Sequence, residues 1–197
     1  ESITMKPLNR SDLLSLEQYA EQRDAFRARV LEHKKNRRVD VGPNFSLYFE
    51  DRLTIQYQVQ EMLRIEKVFE ATAIQEELDA YNPLIPDGGN LKATAMLEFE
   101  DVDVRRRRLA ELVDMEHTVW AQVAGHEKVF AISNEDMERS TLEKTSAVHF
   151  MRFEFSPAMV AALRNGAELS FGSDQSAYAH QVTLTPPIRK TLVLDFG

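Results

Sequence analysis

The polar side chains of Gln56, Gln60, Glu61 and Arg64 lie among many apolar residues in one stretch of the chain. The apolar residues around them are Leu53, Ile55, Tyr57, Val59, Met62, Leu63 and Ile65. An arginine fork binds carboxylate or phosphate groups, and glutamine amides can fix the orientation of such a ligand. Buried polar groups cost free energy unless they are paired, so this pattern indicates either a ligand site or an internal polar network.

The two interpretations differ in what Arg38, Glu61 and Arg64 contact. In the first, these residues meet the sheet and form a binding surface for a small ligand or a partner. The candidate ligand-binding residues are then Arg38, Gln56, Gln60, Glu61, Arg64 and His149. In the second, salt bridges and amides lock the helix to the preceding strand, and Arg64 lies in a buried pair with Glu61 or Glu50. No motif assigns a catalytic role to any residue, because there is neither a G-x-S-x-G turn nor a cysteine.

Metal ligation has little support in the spacing of the five histidines, none of which belongs to an H-E-x-x-H motif. His117 and His149 could converge across neighbouring strands with Glu98 or Glu154 as a further ligand, but this requires a particular strand register. The absence of cysteine excludes structural disulfides, cysteine-ligated zinc and conventional iron–sulfur clusters. We therefore predict neither a metal nor a cofactor.

The arginine run at 105–108 is the strongest local signal for nucleic-acid binding. Acidic residues flank it at one-turn spacing, with Asp103 four positions before Arg107 and Glu111 four positions after it. Such pairs are typical of a solvated, self-neutralising helix face. The formal net charge of the chain is −8, so we predict that the protein does not bind nucleic acid.

Membrane insertion and secretion are not indicated either. No apolar run approaches the roughly 20 residues that a bilayer-spanning helix needs. Residues 1–6 show no signal-peptide pattern. We expect no membrane association and a cytoplasmic location.

Helical patterns dominate the first half of the chain. Ser15 and Gln18 form a capping box that opens an amphipathic helix to about Lys35. Alternation predicts a strand over 45–50, after the Gly-Pro turn at 42–43. Residues 53–70 fit either the second strand of a hairpin or, as we favour, one helix. Thr72 and Gln75 predict a capping box for a further helix, which should stop at Asn82, before a proline.

The second half has mainly strand patterns. The predicted strands cover residues 93–100, 118–124, 128–132, 147–155, 169–172, 178–184 and 191–195, and one charged helix covers 104–115. Gly125 and His126 suggest a two-residue hairpin turn. Ser156-Pro157 and Asn165-Gly166 bound a short helix. The whole chain therefore predicts a single α+β domain over 1–197, mainly helical over 1–90 and mainly β over 91–197, with N-terminal helices packed on an antiparallel sheet.

Several segments also carry a resemblance to a known family. They are residues 37–43 (RRVDVGP), 49–52 (FEDR), 56–64 (QYQVQEMLR), 81–86 (YNPLIP) and 146–153 (SAVHFMRF). Together they resemble an uncharacterised bacterial family, domain-of-unknown-function family 3501, over nearly the whole chain. The resemblance brings no catalytic residues, but it implies an accessory role in redox or oxidative-stress metabolism.

Two functions from different classes follow from these observations. The first is a cytoplasmic accessory or ligand-sensing protein, a homodimer that works with a redox-protein partner. The alternative is an enzyme or metalloprotein with a polar cleft around Glu61, Arg64 and His149.

Overall fold

The α+β class is confirmed by a computed structural model, which describes residues 6–136, 139, 141 and 143–197. The helices are α1 (Leu16–Lys34), α2 (Arg52–Glu66), α3 (Ala71–Tyr81), α4 (Val102–Glu111), α5 (Pro157–Arg164) and α6 (Pro186–Val193). The strands are β1 (Arg38–Val41), β2 (Phe45–Glu50), β3 (Asn90–Leu97), β4 (Val119–Val123), β5 (Val129–Phe130), β6 (Ile132–Ser133), β7 (Val148–Glu154), β8 (Leu169–Ser173) and β9 (His180–Thr183). Most strands lie in the second half of the chain, as the sequence predicted.

The strands form two antiparallel sheets. One sheet has five strands in the order β1-β2-β3-β7-β6, and the other has four in the order β5-β4-β8-β9. The segment 129–133 belongs to both, because its first two residues pair with β4 and its last two pair with β7. Between them, Ala131 donates its amide hydrogen to Val119 O at 2.8 Å. One short segment therefore crosses from sheet to sheet.

The main core lies between the sheets. Phe49, Phe153 and Phe171 meet there, with ring centroids 5.1–6.4 Å apart. At the opposite edges, β1 approaches β9 at Gly42, where a Cβ atom would lie 2.6 Å from the His180 ring. Gly42 also has a φ of +71°, so both its conformation and the close approach favour glycine.

A second, smaller core holds the N-terminal helices together. It consists of Leu8, Ile55, Val59, Leu63, Leu78 and Ile85, which come from the start of the chain, α2, α3 and the segment after α3. The turn that follows α3 reaches the five-stranded sheet, where Lys92 Nζ donates to Pro83 O at 2.7 Å. This contact places α3 beside the outer face of that sheet.

Segment 53–70 is helical, and the hairpin alternative is wrong. Asp51 caps α2 by accepting from the Thr54 amide, and the helix ends before Lys67, whose φ of +54° is left-handed. The predicted capping box of Thr72 and Gln75 is also wrong, because α3 begins two residues earlier, at Ala71, and its N-cap residue Glu70 makes no side-chain cap. The end of α3 immediately before Asn82 agrees with the prediction.

Residues 191–195 are not a strand, contrary to prediction. They include the end of α6, whose first turn contains Pro186 and Pro187. Proline is compatible with the first turn of a helix, because the amides there have no intrahelical partner. The two prolines therefore begin a helix where we expected a break between strands.

The hairpin between β4 and β5 is longer than predicted. The His126 amide donates to Val123 O at 3.0 Å, and Gly125 has a φ of +83°. This closes a four-residue turn with glycine at its third position. The predicted two-residue turn at Gly125-His126 is therefore wrong, although the glycine is at a position that requires positive φ. The helix bounded by Ser156-Pro157 and Asn165-Gly166 is confirmed as α5.

Candidate functional site

A cleft of about 610 Å³ opens between α3, the turn after it and the outer face of the five-stranded sheet. Tyr81 and Leu84 line it from the helical side, and Phe150 lines it from β7. Its charged groups come from α3, from the outer face of the sheet and from residues 135–136, which follow β6. Concave sites with apolar walls and a few polar groups are typical of small-molecule binding.

The floor of the cleft follows from strand alternation and register. Because successive side chains of a strand point to opposite faces, Leu91 and Ala93 enter the core while Lys92 points outward. The register pairs Lys92 with Glu50 on one side and with Arg152 on the other. Three ionisable side chains from β2, β3 and β7 therefore form one row across the sheet.

Glu50 is the buried member of this row, with 5% of its surface exposed. Its carboxylate accepts hydrogen bonds from Thr54 Oγ1, from Gln58 Nε2 at 3.1 Å and from Thr94 Oγ1 at 3.1 Å. All three donors are neutral. Within the part of the chain that the structure describes, no cation forms an ion pair with this carboxylate. Neutral donors therefore make all the direct hydrogen bonds of this buried carboxylate, and the Arg37 guanidinium attracts it from beyond ion-pair distance.

Lys92 occupies the centre of the row and is half-buried. Burial lowers the pKa of its ammonium group, and the neighbouring Arg152 lowers it further, while Asp87 acts in the opposite direction. Its Nζ atom donates to Pro83 O, the one hydrogen bond of this amine among the described residues. An ammonium group has three hydrogens, so Lys92 retains donors that point into the cleft or to solvent.

Arg152, the third member, is fully engaged by carboxylates. It donates through Nε at 3.1 Å and Nη2 at 2.7 Å to Glu135, and through Nη1 to Glu154. Hydrogen bonds to Glu135 and then Glu154 raise the pKa of Arg152 above its ordinary value. Two carboxylates thus neutralise this guanidinium within the protein.

The helical side of the cleft adds acidic groups. Asp79 accepts a hydrogen bond from Gln75 Nε2 at 2.9 Å. Burial raises the pKa of the Glu77 carboxyl, and the nearby Glu66 and Glu76 raise it further. Glu77 has no ion pair with any residue of the described ranges. The rim of the cleft on α3 is therefore acidic.

The glutamines of α2 contact the segment before α1 and do not line the cleft. Gln60 is fully buried and makes two hydrogen bonds to the backbone of Leu14, accepting from its amide at 2.7 Å and donating to its carbonyl at 3.2 Å. Gln56 donates to Asp12 O at 3.3 Å. These contacts resemble the predicted polar network, but they join α2 to the N-terminal segment instead of to β2.

The charged residues of the predicted site are also separated. Glu61 pairs with Arg23 of α1 at 2.9 Å, whereas Arg64 is 47% exposed and lies 3.9 Å from Glu61. Arg38 is exposed on β1, where it pairs with Asp40 at 2.8 Å. The expectation of a buried Arg64 pair is therefore wrong. The structure does not bring Arg38 to Glu61 and Arg64, and ligand binding by these residues stays a prediction.

His149 is buried in a separate polar cluster. Asn134 Nδ2 donates to its Nδ1 atom at 2.8 Å, and its Nε2 atom lies 2.8 Å from Ser146 O and 2.9 Å from Thr145 Oγ1. The pKa of His149 is lowered by burial, and the nearby Glu116 carboxylate offsets only part of this effect. Both ring nitrogens are engaged locally, so His149 does not share a site with Glu61 and Arg64.

The convergence of His117 and His149 with Glu98 or Glu154, which the sequence analysis considered and did not favour, does not occur among the described residues. Within the described ranges, one group of potential ligands has its atoms within 4.8 Å of one another, and it consists of Asp114, Glu116 and His117. Glu154 pairs with Arg152, and Glu98 accepts a hydrogen bond from the Tyr48 hydroxyl at 3.1 Å.

The sequence analysis named Glu50 only as a possible partner of Arg64, and it missed the rest of the cleft. Lys92 lies one residue before the predicted strand, and Arg152 lies within another predicted strand. The charge of Lys92 and Arg152 was an available signal. A charged side chain in a strand is expected on the face that points away from the core. What the sequence did not provide was the register that makes them neighbours.

The fold is thus an α+β architecture in which a helical layer meets two sheets. The family model described as "Protein of unknown function (DUF3501)" matches residues 7–196, so the chain belongs to this family, as its motifs predicted. A crystal structure of a novel protein of unknown function from Burkholderia pseudomallei K96243 is similar to it. The sequences are 49% identical, the TM-score is 0.92, and the match covers 98% of this chain and 100% of the other. The search of curated proteins finds no match.

No helix in the described part of the chain is both long and apolar enough to cross a membrane.

Proposed function

We propose that this chain is an accessory or ligand-sensing protein that binds a small organic molecule in the cleft between α3 and the five-stranded sheet. The observation that carries the proposal is the row of Glu50, Lys92 and Arg152 on the floor of this concavity. The volume of about 610 Å³ lies within the range of roughly 300–1,000 Å³ that is typical of small-molecule sites.

The distribution of free polar groups supports the cleft over the predicted surface on α2. The amide of Gln60 is used by the Leu14 backbone, and Glu61 is paired with Arg23. In the cleft, by contrast, Lys92 retains donors and Glu77 has no ion pair among the described residues. Groups that are not satisfied internally are the ones available to a ligand.

Further predictions stand beside this proposal without support from the described contacts. The association with redox metabolism and a redox-protein partner comes from the family resemblance. The cytoplasmic location and the homodimer come from the sequence. The alternative function, an enzyme or metalloprotein centred on Glu61, Arg64 and His149, requires these side chains to meet, and each contacts a different part of the chain.

A cleft-filling variant tests the proposal. Ala80 is an exposed residue of α3 that lines the cleft, so Ala80→Trp should fill it without altering the charged row. Ala110→Trp, at an exposed position of α4, is the matched control. The full chain is screened by ligand-observed NMR against a mixture of neutral, cationic and anionic aromatic fragments.

We expect at least one fragment to bind to the parent and to Ala110→Trp but not to Ala80→Trp. The proposal fails if no fragment of any charge binds, or if every bound fragment binds Ala80→Trp equally well.

A further inference from the structure

The charges around the cleft are strongly unbalanced. Its lining includes five carboxylates, those of Glu50, Glu77, Asp79, Glu135 and Asp136, and two cations, Lys92 and Arg152. The lining therefore carries a formal charge of −3, which becomes −2 when Arg139, the ion-pair partner of Asp136 beside the cleft, is included. A low-dielectric concavity lined mainly by one sign of charge concentrates ligands of the opposite sign.

The two cations do little to attract an anion. Arg152 is already held by Glu135 and Glu154 through three hydrogen bonds. This leaves Lys92 as the cation of the lining without a carboxylate partner within 4 Å in the described part of the chain. One half-buried ammonium group faces several carboxylates, so an anionic ligand would be repelled more than it is attracted.

Three of the five carboxylates, those of Glu50, Glu77 and Asp79, have no cation within ion-pair distance among the described residues. Glu50 is 5% exposed and has only neutral hydrogen-bond donors. Glu77, on the opposite wall, forms no ion pair with a described residue. Buried and half-buried carboxylates are normally paired, because desolvation disfavours an isolated charge. Their arrangement fits a cation that enters from outside.

The apolar part of the cleft also suits a cation. Phe150 and Tyr81 contribute aromatic side chains to the lining. The Arg139 guanidinium already lies over the Phe150 ring, with its Cζ atom 4.7 Å from the ring centroid. The electron-rich face of an aromatic ring attracts positive charge, and this contact shows that a cation is accommodated beside the cleft.

On these grounds we propose that the ligand is an organic cation, a primary amine or guanidinium attached to an apolar body, with its charge between Glu50 and Glu77 and its body on Phe150 and Tyr81. This inference rests on the proposed function, because it names the class of ligand for the same cleft. In this arrangement Lys92 opposes the bound charge instead of holding it.

Three probes with one apolar body separate the charge types. Benzylamine is cationic at neutral pH, benzyl alcohol is neutral and benzoate is anionic. Their affinities for the full chain are measured by NMR titration at low and at moderate salt. We expect benzylamine to bind most tightly and to lose affinity as salt screens the carboxylates.

Charge-changing variants give the sharper result. Glu77→Gln removes a carboxylate of the rim and should weaken benzylamine binding about tenfold, the size expected when a charged hydrogen-bond partner is lost. Lys92→Met removes the opposing cation and should strengthen benzylamine binding several-fold. Lys128→Met is the control, because Lys128 pairs with Asp174 and lies over Trp120, outside the residues that line the cleft.

The outcomes distinguish the inference from the proposed function. If benzoate binds more tightly than benzylamine and Lys92→Met abolishes its binding, the cleft is a site for anions, and the inference is overturned while the proposed function stands. If Lys92→Met weakens benzylamine binding, the inference is also wrong. If Ala80→Trp leaves the binding of all three probes unchanged, both fail.

Discussion

Arg37 and Asp195 form a buried ion pair that joins the start of β1 to the segment after α6. Arg37 Nη1 donates to Asp195 Oδ1 at 3.1 Å, and Nη2 donates to the second carboxylate oxygen. The same guanidinium donates to the carbonyl oxygens of Phe49 and Glu50 and lies 3.5 Å from the Asp51 carboxylate. Both partners of the pair are about 2–4% exposed.

Replacing Arg37 should therefore destabilise the fold strongly. Arg37→Gln leaves Asp195 and Asp51 buried without their shared cation, a change expected to cost about 3–5 kcal/mol of unfolding free energy. Arg38→Gln is the matched control, because Arg38 is exposed and pairs with Asp40 at the surface, and it should change stability by less than about 1 kcal/mol. Urea denaturation of the two variants measures the difference. Equal losses of unfolding free energy in the two variants would show that the buried ion pair stabilises the fold no more than the surface pair does.

The same cluster should make stability depend on pH. Asp51 and Asp195 share one guanidinium. Burial alone raises the pKa of Asp51, but its bonds to His33 and the nearby Arg37 outweigh this and lower it. For Asp195, burial raises the pKa to about 6, because Arg37 does not compensate fully and Asp51 adds a second negative charge. The backbone carbonyl oxygen of Glu50 also accepts a hydrogen bond from the Arg37 guanidinium.

The direction of this pH dependence follows from the linkage between proton binding and folding. The ordinary pKa of Asp195 is 3.8 and the folded value is about 6, so its stabilising contribution is present below pH 4 and is lost as the pH rises through 6. In the Asp195→Asn variant, the side chain at position 195 cannot ionise. The stability of the parent relative to this variant should fall by about 3 kcal/mol between pH 4 and pH 7. For Asp51→Asn the sign is opposite. The stability of the parent relative to this variant should rise with pH, because the pKa of Asp51 is lowered. Denaturation curves at several pH values test both signs.

Gln60 should matter more than Arg64, although the sequence singled out both. Gln60→Leu leaves the amide and carbonyl of Leu14 without their partner, a loss of about 2–4 kcal/mol. Arg64→Ala removes an exposed, long ion pair with Glu61 and should cost less than about 1 kcal/mol. Melting temperatures of the two variants compare them. A larger loss for Arg64→Ala would contradict the burial of the two side chains.

We predict that the arginine run of α4 does not bind nucleic acid. Arg107 and Arg108 both pair with Glu111, and the acidic chain adds long-range repulsion. We expect no binding of mixed DNA or RNA at micromolar protein near 100 mM salt. Phosphate-driven binding would strengthen steeply as salt is lowered. Binding that is lost when residues 105–108 are replaced by glutamine would contradict the prediction.

Elements defined by local signals were predictable from the sequence. The capping box of Ser15 and Gln18 opens α1, and Ser156 caps α5, as expected. Each signal acts within one turn of helix, so three or four residues are enough to read it. The proline pair at 186–187 misled us because proline is compatible both with a break and with the first turn of a helix.

Long-range relationships were not predictable in the same way. Lys92 and Arg152 are 60 positions apart and become neighbours only through the register of β3 with β7. A shift of one residue in that register would exchange the two faces of the strand. The pairing of Arg37 with Asp195 has the same origin, because it depends on how the finished core positions α6. Local patterns therefore predicted much of the secondary structure, whereas the cleft depends on tertiary packing.

The segment 129–133 has a consequence for how the molecule comes apart. Because it hydrogen-bonds to β4 through one end and to β7 through the other, neither sheet can lose this edge without disturbing the other. Amide exchange in β4 and β7 should accordingly report a single opening event with a common free energy. The two sheets then constitute one cooperative unit, and the shared segment acts as a mechanical coupling between the four-stranded sheet and the sheet that carries the cleft.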